Sequence, residues 1–215
     1  MMPQNDAEFS PRALAALESL REGNARFVQH ETTLKITDTD RRNAVDGQNP
    51  VAVVLGCSDS RVPTEVVFDQ GVGELFVIRV AGNIVQPSQI GSVEFAAQKF
   101  GTRLVVVLGH THCGAIEATI EELTRPDGSQ SRNIASIVNR IRPSVENLLE
   151  TTRDRGELIG KAVRANVRYS VDALRHGSDI VETLVRDEGL LIVGAEYSLA
   201  TGVVEFFDGV PGGAA

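Results

Sequence analysis

The chain of 215 residues contains no tryptophan, only two cysteines, and few aromatic side chains of any kind, 5% in all. A surface that stacks on nucleic-acid bases needs aromatic residues, and one that binds the phosphate backbone needs clustered Lys and Arg. Here acidic residues outnumber basic ones, 29 against 21, and the formal net charge is -8. The composition therefore argues against a nucleic-acid partner.

Long apolar segments are missing as well. No stretch approaches the ~20 apolar residues that cross a bilayer as a helix, and the first residues show neither a basic segment nor the apolar region of a secretory signal. We therefore expect no membrane partner and a cytoplasmic location, where two cysteines stay reduced. The remaining composition, 42% apolar and 23% charged, is ordinary for a globular protein of this length.

Short apolar runs alternate with segments of helical spacing. Val51–Gly56, Leu75–Val80 and Leu104–Leu108 are aliphatic and β-branched, which is typical of strands buried on both faces. This alternation predicts an α/β fold, with a mostly parallel central sheet and helices on both faces. Two late runs, Leu190–Val193 and Val203–Phe207, have a short connection, so the last strand is expected to be an antiparallel edge strand. Helices are predicted over residues 63–68, 87–100, 114–123, 131–150, 153–175 and 178–186.

The beginning of the chain is predicted to be an N-terminal helical arm. Ser10–Pro11 is a helix-start signal, with Ser as the N-cap and Pro at the first helical position, and Gly23–Asn24 is expected to end this helix. We predict a single domain over residues 1–215, with the arm at about 1–35 and a disordered tail at 210–215.

Both cysteines lie in short polar tracts that follow apolar strands. Cys57 begins the tract 57–61, and His110 and Cys113 bound the tract 110–113. Ligands of open α/β sheets bind at the carboxyl ends of the strands. Two Cys and one His from two strand ends match a three-ligand zinc site with one open position, which is typical of catalytic zinc. The pattern predicts a zinc enzyme of hydrolytic or hydration chemistry.

Other interpretations of the cysteines are inert buried thiols or a disulfide. A single disulfide would be unusual in a cytoplasmic protein, and it would leave His110 and Asp59 without a role. Cys113 is instead expected near a helix N-terminus, where the helix dipole favours the thiolate.

Asp59 and Arg61 would lie beside the open position of the zinc site. The alternative is a plain surface ion pair, which would contribute little to stability. Arg79, at a strand end, is expected to be structural.

The pattern C-x-D-x-R at 57–61 followed by H-x-x-C at 110–113, on this α/β skeleton, resembles the β-class carbonic anhydrases. The similarity runs from about Ala16 to Phe207. It implies that one zinc ion per chain is held by the metal residues Cys57, Asp59, His110 and Cys113, with Asp59 and Arg61 as the catalytic pair.

The resemblance also implies a substrate pocket. Gln48 corresponds to the family's pocket glutamine and Phe76 to an apolar pocket residue. Ala81 stands where a small or β-branched residue is usual, and Phe95 where a tyrosine is frequent, so any hydroxyl contact made there is lost. The family forms dimers whose pockets are built partly from the neighbour, and tetramers are common, so a homodimer or homotetramer is implied.

The implied reaction is the reversible hydration of carbon dioxide to bicarbonate and a proton by zinc-bound hydroxide. Two thiolates already neutralise the formal charge of the metal, so we expect a weaker Lewis acid than an all-His site and activity that rises at mildly alkaline pH. In the family, Asp59 would have two states. Held by Arg61 it accepts a hydrogen bond from the hydroxide; released, it coordinates zinc, which low pH favours.

Two alternatives stay open. A hydrolase of carbon disulfide or carbonyl sulfide on the same scaffold would keep every zinc residue and differ only in its access tunnel. A zinc-binding sensor without catalysis is the other alternative, and the presence of both Asp59 and Arg61 argues against it, because structural zinc needs neither.

Overall fold

A five-stranded sheet forms the centre of the computed structural model, which describes residues 9–125 and 131–212. Four strands pair in parallel, and the last strand pairs antiparallel with the fourth at one edge. This arrangement confirms the predicted fold class. The strands are β1 (Ala52–Gly56), β2 (Leu75–Arg79), β3 (Leu104–His110), β4 (Leu191–Tyr197) and β5 (Val204–Asp208).

Eight α-helices lie within the described ranges, and most of them begin at a capping residue. The side chains of five N-caps accept a hydrogen bond from a backbone N–H of the first turn, at Ser10, Thr37, Ser131, Asp154 and Ser178. The helices are α1 (Pro11–Val28), α2 (Asp38–Asn43), α3 (Thr64–Val67), α4 (Pro87–Phe100), α5 (Gly114–Thr124), α6 (Arg132–Thr151), α7 (Arg155–Arg175) and α8 (Asp179–Asp187), with 3-10 turns at Ala44–Asp46 and Ala81–Asn83.

The prediction that Gly23–Asn24 ends the first helix is wrong, because α1 continues to Val28. Both residues are required by a close contact with the rest of the fold. A Cβ atom at Gly23 would lie 1.9 Å from the carbonyl oxygen of Phe68. The buried Asn24 amide donates to the carbonyls of Val67 and Gly202. Gly and Asn often end helices, but in α1 Gly23 and Asn24 allow the helix to pack closely against the rest of the fold.

The sheet order β2-β1-β3-β4-β5 places a topological switch between β1 and β3. The chain leaves β1 toward β2 on one side and then returns to build β3 on the other side, so the carboxyl ends of β1 and β3 open a crevice. Cys57 directly follows β1. His110 was expected just past its strand, but β3 is longer than predicted and includes it, because β3 pairs with β4 as far as His110 and Tyr197.

Alternate residues of the parallel strands pack into two apolar layers. Val54 faces the layer that contains α1, whereas Val53 faces the layer that contains α4, α7 and α8. As a result, β1 and β3 are buried along their full lengths. A third apolar cluster, with side chains from α5, α6 and α7, surrounds Cys57 and Cys113. The two cysteines therefore lie in an apolar setting at the end of a rigid sheet.

The predicted arm and tail are described only in part, since residues 1–8 and 213–215 lie outside the described residues. The single-domain assignment stays a prediction. No helix in the described ranges is long and apolar enough to cross a membrane.

A buried carboxylate fastens the segment after α1 to the domain. The Asp69 side chain is 0% exposed and accepts from Arg26 Nε at 2.6 Å. It also accepts from the backbone N–H groups of Thr33 and Leu34. Burial alone would raise the pKa of Asp69, but these donors outweigh it and lower the pKa to about 2.

Asp69→Asn is expected to lower the free energy of unfolding by about 3 kcal/mol, because it leaves buried donors facing an amide. The pKa of Asp69 in the folded state lies below its ordinary value. The stabilisation by Asp69 is therefore present above pH ~4 and is lost as the pH falls toward the folded-state pKa of about 2. Urea denaturation at neutral and acidic pH measures this loss of stability.

The control is Asp38→Asn, which removes an exposed ion pair with Arg41 and should lower the free energy of unfolding by under ~1 kcal/mol. Equal losses in both variants would contradict the account.

Candidate metal centre

Three predicted ligands meet at the switch point of the sheet. Potential ligand atoms of Cys57, His110 and Cys113 all lie within 4.8 Å of one another, and all three residues are buried. Cys57 follows β1, His110 is the last residue of β3, and Cys113 is the N-cap of α5. Strand ends that are adjacent in the sheet thus bring together residues that are 53 positions apart in the sequence (110 minus 57). This cluster is a candidate metal site.

The ring of His110 is oriented for metal binding. Its Nδ1 lies 2.9 Å from the carbonyl oxygen of Thr111. A carbonyl can only accept, so Nδ1 carries the proton and Nε2 presents a lone pair. Nε2 is buried and has no hydrogen-bond partner among the described residues. A buried, unpartnered nitrogen beside two free thiols fits a metal ion held by two sulfurs and one imidazole, a donor set that suits zinc.

The two thiols influence each other's ionisation. A hydrogen bond from Cys113 lowers the pKa of Cys57, and His110 acts in the same direction, although burial opposes both. The same contact with Cys57, together with burial, raises the pKa of Cys113. Without a cation only one of the two sulfurs is stabilised as a thiolate. A bound divalent cation would favour ionisation of both.

Asp59 and Arg61 form a bidentate ion pair beside the cluster. Arg61 Nε donates to Asp59 Oδ1 at 2.9 Å, and Arg61 Nη2 donates to Asp59 Oδ2 at 2.7 Å. Hydrogen bonding from Arg61 holds the pKa of Asp59 well below its usual range. Oδ2 lies 3.8 Å from Nε2 of His110. The structure therefore has Asp59 in the arrangement held by Arg61, with one carboxylate oxygen facing the cluster.

Backbone contacts that the sequence did not reveal hold this tract in place. Arg61 Nη2 also donates to the carbonyl of His112 at 3.0 Å, which ties the two tracts together. Arg79 donates to the carbonyls of Cys57 and Asp59 at 3.0 and 2.5 Å, in keeping with the structural role expected of it. The Gly82 N–H donates to Cys57 Sγ at 3.3 Å. The only sequence signal for these contacts was the position of Arg79 at the end of a strand.

The residues predicted to form the pocket do not lie together in this chain. Ala81 precedes Gly82 and so lies next to the cluster. Phe76 and Phe95 contact each other, with ring centroids 6.1 Å apart. Gln48 is exposed and packs against Gly73, in the turn before β2. Since β1 and β2 run parallel, Gln48 lies at the amino edge of the sheet, about 17 Å along β1 from the cluster.

Known proteins resemble the chain over most of its length. The family model described as carbonic anhydrase matches residues 52–204. Carbonic anhydrase 2 of Mycobacterium tuberculosis is 36% identical over 88% of this chain and 90% of its own length. The carbonic anhydrase of Mycolicibacterium smegmatis is 36% identical over 89% of this chain and 92% of its own.

Solved structures show the same fold. The β-carbonic anhydrase CafA of Aspergillus fumigatus matches 92% of this chain and 91% of its own, with a TM-score of 0.71 at 24% identity. A chain from the crystal structures of two tetrameric β-carbonic anhydrases of Sordaria macrospora is also similar, with a TM-score of 0.70 at 22% identity. The match covers 90% of this chain and 95% of the Sordaria chain. With the family model covering most of the sequence, the chain belongs to the β-carbonic anhydrase family.

Proposed function

We propose that this protein is a zinc-dependent carbonic anhydrase that catalyses the reversible hydration of carbon dioxide to bicarbonate and a proton. The observation that carries the proposal is the cluster of Cys57, His110 and Cys113 with the Asp59–Arg61 pair facing it, in a chain of this family. The three clustered residues would hold one zinc ion per chain. When bound, zinc supplies a Lewis acid that brings the pKa of a water molecule toward neutrality.

Asp59 is the residue to which we assign control of the attacking oxygen. Its Oδ2 lies 3.8 Å from Nε2 of His110 and so borders the cluster, where it would accept a hydrogen bond from a group at the open position. An ionised carboxylate can only accept, so it would turn a lone pair of that oxygen toward the substrate. Arg61 holds both carboxylate oxygens and lowers the pKa of Asp59, so it would keep the carboxylate ionised and away from a metal bound by the three clustered residues.

His110 and the cysteines have a supporting role. The Thr111 carbonyl fixes the tautomer of His110, so Nε2 would be the nitrogen that binds a metal. The apolar cluster around Cys57 and Cys113 includes Ile84, Ile116 and Val163. Such a wall suits a small nonpolar substrate and strengthens electrostatic interactions at the site.

A comparison of substrates tests the proposed function. The zinc-loaded protein should hydrate carbon dioxide, followed by a pH indicator in stopped flow, much faster than it releases sulfide from carbonyl sulfide. The protein treated with a chelator is the control for both substrates. Sulfide release at a higher catalytic efficiency than carbon dioxide hydration would replace the proposed function with the hydrolase.

We further propose that the protein acts in the cytoplasm as a homo-oligomer. Reduced ligand thiols require a reducing compartment. Phe95, with its side chain in an aromatic group with Phe76 and Phe100, is 52% exposed, and the position of Gln48 at the far edge of the sheet is consistent with a pocket that a second subunit completes.

Phe95→Glu is expected to shift the molar mass in solution to that of a smaller assembly, because a charge would enter an apolar contact between subunits. Light scattering coupled to size exclusion measures the mass. Gln98→Glu adds the same charge at an exposed position of α4 and should leave the assembly unchanged. An unchanged mass for Phe95→Glu would place the subunit contact elsewhere.

A further inference from the structure

The 3-10 turn Ala81–Asn83 supplies a backbone hydrogen bond to the sulfur of Cys57. The Gly82 N–H donates to Cys57 Sγ at 3.3 Å. This direction of the N–H depends on an uncommon backbone, with φ of 71° at Gly82 and 43° at Asn83. A Cβ atom at Gly82 would also lie 2.8 Å from Cδ1 of Ile141. Asn is one of the few non-glycine residues that enter the left-handed region, but two successive residues with positive φ are uncommon, and contacts from outside the turn hold it in this form.

Two polar side chains of α7 hold this turn. Asn166 Nδ2 donates to the carbonyl of Gly82 at 2.8 Å, and Ser170 Oγ donates to the carbonyl of Asn83 at 3.0 Å. Both side chains belong to residues that are only 1% exposed. The bonds fix the peptide groups Gly82–Asn83 and Asn83–Ile84, which directly follow the Gly82 N–H along the chain, and so hold the backbone of the turn from its carboxyl side.

The position of these residues on α7 is unusual. They lie four residues apart on the face that packs against the sheet, interleaved with Val163, Val167 and Val171. Valine at either place would fit the apolar stripe, whereas a buried amide or hydroxyl costs free energy unless it is hydrogen-bonded. The hydrogen bonds of Asn166 Nδ2 and Ser170 Oγ both go to the turn beside Cys57, while the buried Oδ1 of Asn166 has no partner among the described residues.

We propose that Asn166 and Ser170 are positioning residues of the metal centre, which act through the turn Ala81–Asn83 by aiming the Gly82 N–H at Cys57 Sγ. An N–H that donates to a thiolate stabilises the ionised sulfur that a metal requires and orients its remaining lone pairs. Neither residue is among the three clustered ligand residues. The inference rests on the proposed function only in that it requires a metal at Cys57.

The test compares Asn166→Ala and Ser170→Ala with Val171→Ala. The control shortens a buried side chain on the same face of α7 without removing a bond to the turn. Two properties are measured without turnover. They are zinc affinity, by competition with a chromophoric chelator, and the thiolate-to-metal charge-transfer band of the protein loaded with Co²⁺ in place of zinc. The free energy of unfolding is measured for each variant, so that variants of equal stability can be compared.

We expect the two polar variants to bind zinc about 10- to 100-fold more weakly and to shift the charge-transfer band, while Val171→Ala changes neither. If Asn166→Ala does not fold, Ser170→Ala, which removes only one hydroxyl, provides the same comparison. Zinc affinity and a band equal to those of Val171→Ala at equal stability would overturn the inference. Zinc binding by the unchanged protein without carbon dioxide hydration would contradict only the proposed function; no zinc binding at all would contradict both.

Discussion

Asp59→Ala is expected to lower kcat/KM for carbon dioxide hydration by about 100-fold or more while the protein keeps its zinc. In the structure Asp59 is not among the three clustered ligand residues; its carboxylate is held by Arg61 and faces Nε2 of His110 from 3.8 Å. The carboxylate would thus act on the attacking oxygen and not on metal affinity. Removing it should separate turnover from metal binding.

The companion variant Arg61→Lys tests the other half of the pair. Lysine keeps the positive charge but cannot form the two parallel N–H bonds that Arg61 makes to Asp59. Activity should fall because the carboxylate is then free to move toward the metal. Hydration rates and zinc content are measured together for both variants. Unchanged turnover in Asp59→Ala would overturn the role assigned to Asp59.

Loss of the metal is expected to have the largest effect. His110→Ala removes the one nitrogen ligand, so hydration should fall to the level of the protein treated with a chelator. In the unchanged protein, free zinc at 100 times its Kd should raise the free energy of unfolding by about 2.7 kcal/mol, because zinc binds the folded state. In His110→Ala the same zinc concentration should raise the free energy of unfolding much less.

A surface histidine provides the control for this variant. His176 carries an exposed side chain near Asp172 and Glu182, and His176→Ala should leave both the activity and the stabilisation by zinc unchanged. Zinc-dependent stabilisation of His110→Ala equal to that of the unchanged protein would mean that the metal binds elsewhere.

The elements that position the metal residues could be predicted because their signals are local. Aliphatic runs identified β1 and β3, and parallel strands bring their carboxyl ends to one edge of the sheet. Cys57, His110 and Cys113 therefore followed from the sequence as a group. The resemblance to the family added the two arrangements of Asp59, and the structure contains the one held by Arg61.

Features that depend on contacts between distant segments could not be predicted. The end of α1 was placed at Gly23–Asn24, whereas the absence of a Cβ at Gly23 serves a contact with Phe68, far along the chain. The roles proposed for Asn166 and Ser170 had one usable signal, since both interrupt the apolar face of α7. Their partners became visible only in the folded chain.

The pocket role predicted for Gln48 and Phe95 follows only from the resemblance to the family. Both residues lie on exposed parts of this chain, where no pocket follows from the contacts of a single chain. Their pocket role stays a prediction.

The most direct test of the central claim is a zinc titration of the metal-free protein, followed by stopped-flow hydration of carbon dioxide between about pH 6.5 and 9. The account predicts a rate that rises in proportion to zinc up to one ion per chain, stays constant beyond it, and increases with pH. A protein that binds one zinc ion through Cys57, His110 and Cys113 but shows no hydration at any of these pH values would contradict it.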